Sequence, residues 1–251
     1  MPPEIQTYLE KLSKHLQTVL ESNLVGVYLQ GSGAQNDFRS GTSDLDVLVV
    51  VHNQIPGTQK DILASELDHK KLPVPAAGLD LMIVRKYAAQ HLTQAPEYEF
   101  WFSTGEYWDT TVDKNGSTSE VLMYIATCAE QAQVLSGLDP QQVFSAVPHN
   151  ILLQTLIDIL EWHRTKILDN LHDPLGQYSV LNAARAWMYA EDKKLGSKAE
   201  GGMWVLVQES DNELVKNALL IRDEKSTTSP DAKEIDIFLQ RVIEVCRAKL
   251  A

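Results

Sequence analysis

The chain has 251 residues, with 34 Asp and Glu against 22 Lys and Arg, a net charge of −12 and an apolar fraction of 44%. The acidic balance argues against a partner with the negative backbone of nucleic acid, and the composition is that of an ordinary globular protein. No stretch approaches the roughly 18 apolar residues that a membrane span requires, and the N-terminus lacks a basic region followed by an apolar run. We therefore expect a cytoplasmic protein with no nucleic-acid or membrane partner, and we expect a monomer.

The first part of the chain alternates between helical and strand patterns. In chain order, the patterns predict a helix over 3–22, strands over 24–30, 44–51 and 78–84, and a helical segment near 57–70. The first strand runs into Gly31-Ser32-Gly33, which is typical of a tight turn. Strands that alternate with helices favour a mixed sheet covered by helices.

From about Ser117 onward the pattern is helical throughout. The predicted helices are 118–136, 149–170, 178–195, 200–208, 211–223 and 231–250. The polar stretch at 113–117 has little to bury and is typical of a domain boundary. The sequence therefore predicts an α+β fold: an α/β-type domain with a mixed sheet over 1–115, and an all-α domain over 116–251.

Two carboxylates stand at the start of the second strand. Asp44 and Asp46 are two residues apart, so their side chains project from the same face of the strand. Neighbouring carboxylates repel one another, and a divalent cation bound by both compensates for that repulsion. Mg²⁺ prefers oxygen ligands and commonly binds together with substrate phosphates. The pair therefore predicts a magnesium site that also takes a nucleoside triphosphate.

The neighbouring segments add to this constellation. Gly31 and Ser32 are small residues that let backbone N–H groups and a hydroxyl approach a phosphate closely. Asp80 begins the third strand in a setting like that of Asp46, and an adjacent strand would bring it to the same cluster. There it would complete the metal site or accept the proton of an attacking hydroxyl.

These residues resemble a known family. The run from Tyr28 to Ser32, followed by Ser43-Asp44-Leu45-Asp46, is similar to the signature of the polymerase-β-like nucleotidyltransferases. Within that superfamily it resembles the aminoglycoside adenylyltransferases that modify streptomycin and spectinomycin. The segments 98–106 and 181–189, and then Gly196 to Ala199 with Trp204, resemble later parts of the same family, so the similarity spans most of the chain.

The resemblance implies ATP and acceptor sites in a cleft between a nucleotidyltransferase domain and a helical domain. Asp44 and Asp46 would be metal ligands, and Asp80 matches the position of the family's catalytic base. That base is a glutamate in the streptomycin and spectinomycin enzymes. The residues implied to contact the nucleotide are Gly31, Ser32, Ser43, Arg185 and Lys198. The reaction would move AMP from ATP to a hydroxyl and release pyrophosphate.

The expected acceptor is a small cation that carries a hydroxyl group, because carboxylates around a site attract cations. Candidate acidic residues around the site are Glu99, Glu106, Glu120, Asp169 and Asp173. Trp162 could fill the role of a tryptophan that the family's streptomycin enzymes place against the drug. A different small-molecule or protein hydroxyl, or a non-catalytic ATP-binding role, remains open at this stage.

Overall fold

A computed structural model describes residues 1–170 and 172–250. The chain divides into two compact units, Met1–Val147 and Pro148–Ala251. The first combines a sheet with helices and the second is helical, so the predicted fold class is confirmed. Within the described residues, none of the helices has the length and apolar character that crossing a membrane would require.

The first unit is built on a mixed sheet. Its helices are α1 (Pro3–Leu20), the single turn α2 (Gly31–Ala34), α3 (Gly57–Leu67), α4 (Lys86–Gln90) and α5 (Glu120–Gln131). Its strands are β1 (Leu24–Gln30), β2 (Leu45–Val51), β3 (Leu79–Arg85), β4 (Glu97–Tyr98), β5 (Phe100–Thr104), β6 (Thr111–Asp113), β7 (Gly116–Ser117) and β8 (Gln133–Gly137). The main sheet has the order β6-β5-β3-β2-β1-β8, in which β2 and β3 are parallel and the other neighbours are antiparallel.

Both faces of the central strands are buried. Along β2, Val47 and Val49 belong to a core that includes α1 and α3, whereas Leu48 and Val50 belong to a second core that includes α5. Successive side chains of a strand point to opposite faces, so a strand covered on both faces needs an unbroken apolar run. That requirement explains why the three central strands were recognisable in the sequence.

The register of the parallel pair positions the acidic residues. Leu45 lies opposite Leu79, and Asp46 lies opposite Asp80. Asp46 and Asp80 are therefore neighbours at the same end of two adjacent strands, on the same face of the sheet.

The end of the first unit differs from the prediction. Residues 118–136 were expected to form one helix that opens the helical domain, but α5 ends at Gln131 and β8 follows. β8 pairs antiparallel with β1, and α5 packs on the sheet, so both belong to the first unit. The division between the units accordingly lies after Val147, and not near 113–117.

The second unit contains α6 (His149–Arg164), α7 (Gln177–Asp192), α8 (Lys198–Gln208), α9 (Glu213–Arg222) and α10 (Ala232–Leu250). α7 packs against each of the other four. Its small residues Ala183 and Ala184 are buried, and they allow the neighbouring helices to approach closely. At Gly201 on α8, an added Cβ would lie 2.6 Å from the backbone of Arg185, so only glycine fits there. This packing fixes the start of α8 against the middle of α7.

Candidate active site

Asp80 is held by two side-chain hydrogen bonds. Its Oδ1 accepts a hydrogen bond from Trp101 Nε1 at 2.7 Å, and its Oδ2 accepts one from the Tyr124 hydroxyl at 2.8 Å. Burial raises the pKa of the Asp80 carboxyl, the two donors lower it, and the nearby charge of Asp44 raises it. Both oxygens of Asp80 are therefore held in place, with Asp44 close enough to act on them.

One face of α5 turns two residues toward these carboxylates. Burial and the charges of Asp80, Asp46 and Asp44 raise the pKa of the Tyr124 hydroxyl well above its usual range. One turn earlier, the half-buried Glu120 has a raised pKa because of its burial and the charge of Asp80. Positions i and i+4 share one side of a helix, so both side chains face the acidic cluster. The first unit thus brings Glu120 together with Asp44, Asp46 and Asp80.

The turn after β1 is shaped around Asp46. Gly31 has φ of +59°, and a Cβ added there would lie 2.0 Å from Oδ2 of Asp46. Glycine is required both for the left-handed backbone and for the space that the carboxylate occupies. The next side chain, Ser32, has a buried Oγ with no hydrogen-bond partner within the described part of the chain. A buried hydroxyl without a partner suits an anionic ligand that accepts its proton.

Ser43 has a definite structural contact. It is 7% exposed, and its Oγ accepts a hydrogen bond from the Arg39 backbone N–H at 3.0 Å. This bond closes the loop that leads into β2 and so fixes the position of Asp44. The Ser43 hydroxyl keeps its own proton to donate, so the contact is compatible with the phosphate role that the resemblance implies.

The side chains as they stand do not form a three-carboxylate metal site. Across residues 1–170 and 172–250, no group of three or more His, Cys, Asp or Glu side chains could hold a metal ion. The two oxygens of Asp80 accept hydrogen bonds from Trp101 and Tyr124. The donor chemistry of Asp44 and Asp46 fits Mg²⁺ as two oxygen ligands, with substrate phosphates and water to supply the rest.

The second unit has a cationic cluster of its own. Arg185 lies on α7, and the Lys198 ammonium at the start of α8 lies 3.7 Å from the centre of the Tyr178 ring. The pKa of His163 is lowered to about 3, first by burial and then by the charges of Lys198, Arg185 and His172. The two cations that were predicted to contact a triphosphate therefore act on the same imidazole.

Comparisons with known proteins bear on the family and the fold. Residues 142–244 match the family model described as the C-terminal domain of aminoglycoside adenylyltransferases. A spectinomycin 9-adenylyltransferase of Enterococcus faecalis is 24% identical over 182 residues, which are 67% of this chain and 68% of that protein. One from Staphylococcus aureus (strain N315) is 21% identical over 200 residues, covering 77% of this chain and 75% of that protein.

The fold has a counterpart over nearly its whole length. The crystal structure of the enterococcal spectinomycin adenyltransferase AAD(9), with ATP and spectinomycin, matches 96% of this chain and 99% of its own, with a TM-score of 0.75 and 18% identity. The matches support an aminoglycoside adenylyltransferase as the identity of this chain. It is a nucleotidyltransferase, as the resemblance implied.

Glu99, which was predicted to contact the substrate, is buried and paired inside the first unit. It is 4% exposed, and its Oε2 lies 3.2 Å from the Lys60 ammonium and accepts the Ile55 backbone N–H. Its Oε1 lies 3.0 Å from Nε of Arg85. Both oxygens are thus taken up, Oε2 by the buried Lys60 and Oε1 by the partly exposed Arg85, which leaves neither oxygen free for a substrate.

Asp173 also has a structural role. It is 1% exposed, and its two oxygens accept the backbone N–H groups of Tyr178 and Ser179, both at 2.9 Å. These are otherwise unsatisfied donors of the first turn of α7, so Asp173 caps that helix. The expectation that it contacts substrate is therefore not supported.

The remaining candidates stay accessible. Trp162 is 44% exposed, and its ring lies edge-on to His163 and His172, with ring centres 5.1 and 5.7 Å apart. Glu106 is exposed, and Asp169 lies 3.7 Å from the Lys166 ammonium. Sequence reasoning missed Trp101 and Tyr124 as residues of the site, because nothing in a tryptophan or a tyrosine identifies the carboxylate to which it donates.

The buried position of Glu99 leads to a prediction about stability. Glu99→Gln leaves the Lys60 ammonium buried without its negative partner, and breaking a buried pair in this way costs about 3 kcal/mol. We expect a lower midpoint of urea unfolding with an unchanged denaturant slope. Glu66→Gln, which removes an exposed partner of Lys71, is the matched control and should shift the midpoint little. Equal shifts for both variants would contradict the structural role of Glu99.

Proposed function

We propose that this enzyme transfers AMP from ATP to a hydroxyl group of spectinomycin and releases pyrophosphate. The curated relatives are named for this activity, and the structural neighbour was determined with ATP and spectinomycin. The observation that carries the proposal is the acidic cluster at the start of β2 and β3, where Asp46 pairs in register with Asp80 and the charge of Asp44 acts on Asp80. We further propose that the enzyme acts as a monomer in the cytoplasm.

Asp44 and Asp46 would hold Mg²⁺ in this reaction. A bound Mg²⁺ neutralises charge on the phosphate oxygens and orients the triphosphate. Gly31 and Ser32 lie next to Asp46. The Ser32 hydroxyl, which has no hydrogen-bond partner among the described residues, can donate to a phosphate oxygen. Ser43 would donate its remaining proton in the same way. These residues fix the α-phosphorus where a hydroxyl can attack it.

Asp80 would accept the proton that the attacking hydroxyl loses. A carboxyl whose pKa is raised by burial is a stronger base than an exposed aspartate, which suits this task. Trp101 and Tyr124 keep the carboxylate from turning away. We propose Asp80 as the base and leave the cation to Asp44 and Asp46.

The positive charges of the second unit suit the leaving group. Pyrophosphate gains negative charge as it departs, and Arg185 and Lys198 would stabilise that charge. On the acceptor side, Glu120 is the acidic candidate that lies beside Asp80, so it is the one we propose to contact the cationic drug. We propose Trp162 as a further contact of the drug.

The position of Tyr124 gives a prediction about pH. Asp80 must be ionised to accept a proton, so activity falls as the pH falls through its pKa. Tyr124→Phe removes a donor that lowers this pKa, so the acid limb of the kcat profile should move to higher pH, by up to about one unit. Tyr87→Phe is the control, because that exposed hydroxyl lies on α4. An acid limb unchanged by Tyr124→Phe would contradict Asp80 as the base.

Drug resistance in cells tests the proposed function. Expression of the chain in a susceptible bacterial host should raise the inhibitory concentration of spectinomycin, and the Asp44→Asn/Asp46→Asn variant should not. Streptomycin tested alongside reports whether the acceptor range extends to the other drug of the family. Equal spectinomycin sensitivity with the wild-type chain, the variant and an empty vector would overturn the proposal.

A further inference from the structure

A chain of side-chain hydrogen bonds leads to Arg185 inside the second unit. Asn182 lies on α7 and is 4% exposed, and His163 lies on α6 and is 3% exposed. The Asn182 Oδ1 accepts from Arg185 Nη2 at 2.8 Å. The Asn182 Nδ2 lies 3.0 Å from Nε2 of His163 and donates to the Tyr178 carbonyl oxygen, also at 3.0 Å. The amide thus joins a buried imidazole to the guanidinium.

The chemistry of these groups fixes the direction of every bond. A guanidinium only donates, so the amide oxygen must face Arg185. The amide nitrogen then faces His163, and since it also only donates, His163 Nε2 must accept and carries no proton. The imidazole proton therefore sits on Nδ1, which is buried without a hydrogen-bond partner among the described residues. Burial and the nearby cations, which lower the pKa of His163 to about 3, keep the ring neutral near pH 7.

We propose that Asn182 and His163 are positioning residues that hold the Arg185 guanidinium in one orientation for the triphosphate of ATP. This inference rests on the proposed function, which assigns Arg185 to that ligand. A free arginine side chain has many rotamers, and ordering them on binding weakens affinity. An arginine that is already oriented avoids that loss. Because the neutral imidazole adds no charge to the cluster, its contribution is to orient the Arg185 guanidinium.

The bond directions can be measured without any nucleotide. Two-bond ¹H–¹⁵N correlation of the full chain identifies which imidazole nitrogen of His163 carries the proton. We expect the neutral Nδ1–H form between pH 6 and 8, as the buried cluster and its cations require. A proton on Nε2, or a cationic ring in this range, would reverse the amide and overturn the inference.

A double-mutant cycle tests the effect on ATP. We expect Asn182→Ala to weaken Mg²⁺-ATP binding about tenfold, as coupling between residues of one hydrogen-bonded network allows. His163→Phe keeps a ring but removes the acceptor, so it should weaken binding less. In an Arg185→Ala background, neither change should weaken binding further, because the group that they orient is gone. A purely structural role would give the same loss in both backgrounds.

Ser179→Ala is the matched control, because it removes a buried hydroxyl one turn earlier on α7 that takes no part in the chain of bonds. It should leave ATP affinity unchanged, and thermal unfolding shows that each variant is folded at the assay temperature. Losses that persist in the Arg185→Ala background, with ATP binding by the wild type intact, overturn the inference alone. No ATP binding by the wild type overturns the proposed function and this inference with it.

Discussion

Replacing Asp44 and Asp46 together by Asn should slow spectinomycin-dependent pyrophosphate release at least about a thousandfold. The two amides keep the shape of the carboxylates but remove the charges that would hold Mg²⁺, so the triphosphate loses both its neutralisation and its orientation. The measurement is the initial rate of pyrophosphate release at saturating ATP. A parallel measurement of Mn²⁺ binding in the presence of ATP should show the loss of the cation directly.

The matched control for this double variant is Asp158→Asn, which changes an exposed carboxylate on α6 and should leave the rate unaltered. Higher Mg²⁺ concentrations should restore only part of the lost rate, because the ligands are absent and not merely weakened. Release at more than about a tenth of the wild-type rate would contradict the assignment of this pair to the cation.

The second large effect is expected at Asp80. Asp80→Asn keeps an acceptor oxygen for Trp101 and an N–H that can donate to the Tyr124 hydroxyl, but it cannot take a proton. Loss of a general base lowers kcat by about a hundredfold or more. ATP affinity should stay close to that of the wild type, because the cation ligands are intact. A lower kcat with unchanged ATP affinity distinguishes Asp80 from Asp44 and Asp46, because replacing those two should lower both kcat and ATP affinity.

Asp80→Glu provides a sharper comparison. It keeps the carboxylate but displaces it by one methylene, so some activity should return relative to Asp80→Asn. If Asp80→Asn instead weakened ATP and Mg²⁺ binding as strongly as the paired replacement does, Asp80 would be a metal ligand. That result would contradict its assignment as the base.

The central strands and the acidic cluster could be predicted because their signals are local. β2 and β3 are buried on both faces and so are continuous apolar runs, and the aspartates interrupt those runs only at the start. Alternation of side chains along the strand predicted over 44–51 places Asp44 and Asp46 on one face, although β2 itself begins at Leu45. The sequence does not state the parallel register that sets Asp46 opposite Asp80, which depends on pairing between distant segments.

β8 could not be predicted from its own residues. The segment from Gln133 to Gly137 is half polar, follows a helix directly and lies at the edge of the sheet, where one side needs no apolar cover. Its strand conformation comes from pairing with β1, more than 100 residues earlier. The local residue pattern predicts that the helix α5 continues through this segment. For that reason α5 was assigned to the helical domain, and the boundary was predicted before α5 and not after it.

The roles of the individual acidic residues around the site could not be predicted from sequence either. Composition suggests that carboxylates around a site attract a cationic drug, but it does not distinguish an exposed carboxylate from one that is already paired. Glu99 is taken up by Lys60 and Arg85, and Asp173 by the backbone of α7, through contacts that only the folded chain creates. The position of Glu120 beside Asp80 was likewise not readable from its neighbours in sequence.

The product of the proposed reaction provides its most direct test. Purified wild-type chain and the Asp44→Asn/Asp46→Asn variant would each be incubated with ATP, Mg²⁺ and spectinomycin. The mass of the recovered drug would then be measured by mass spectrometry. We expect spectinomycin that carries one AMP group, with one pyrophosphate released per modified molecule, and no such product from the variant. Unmodified spectinomycin after incubation with folded, ATP-binding wild-type chain would contradict the proposed reaction.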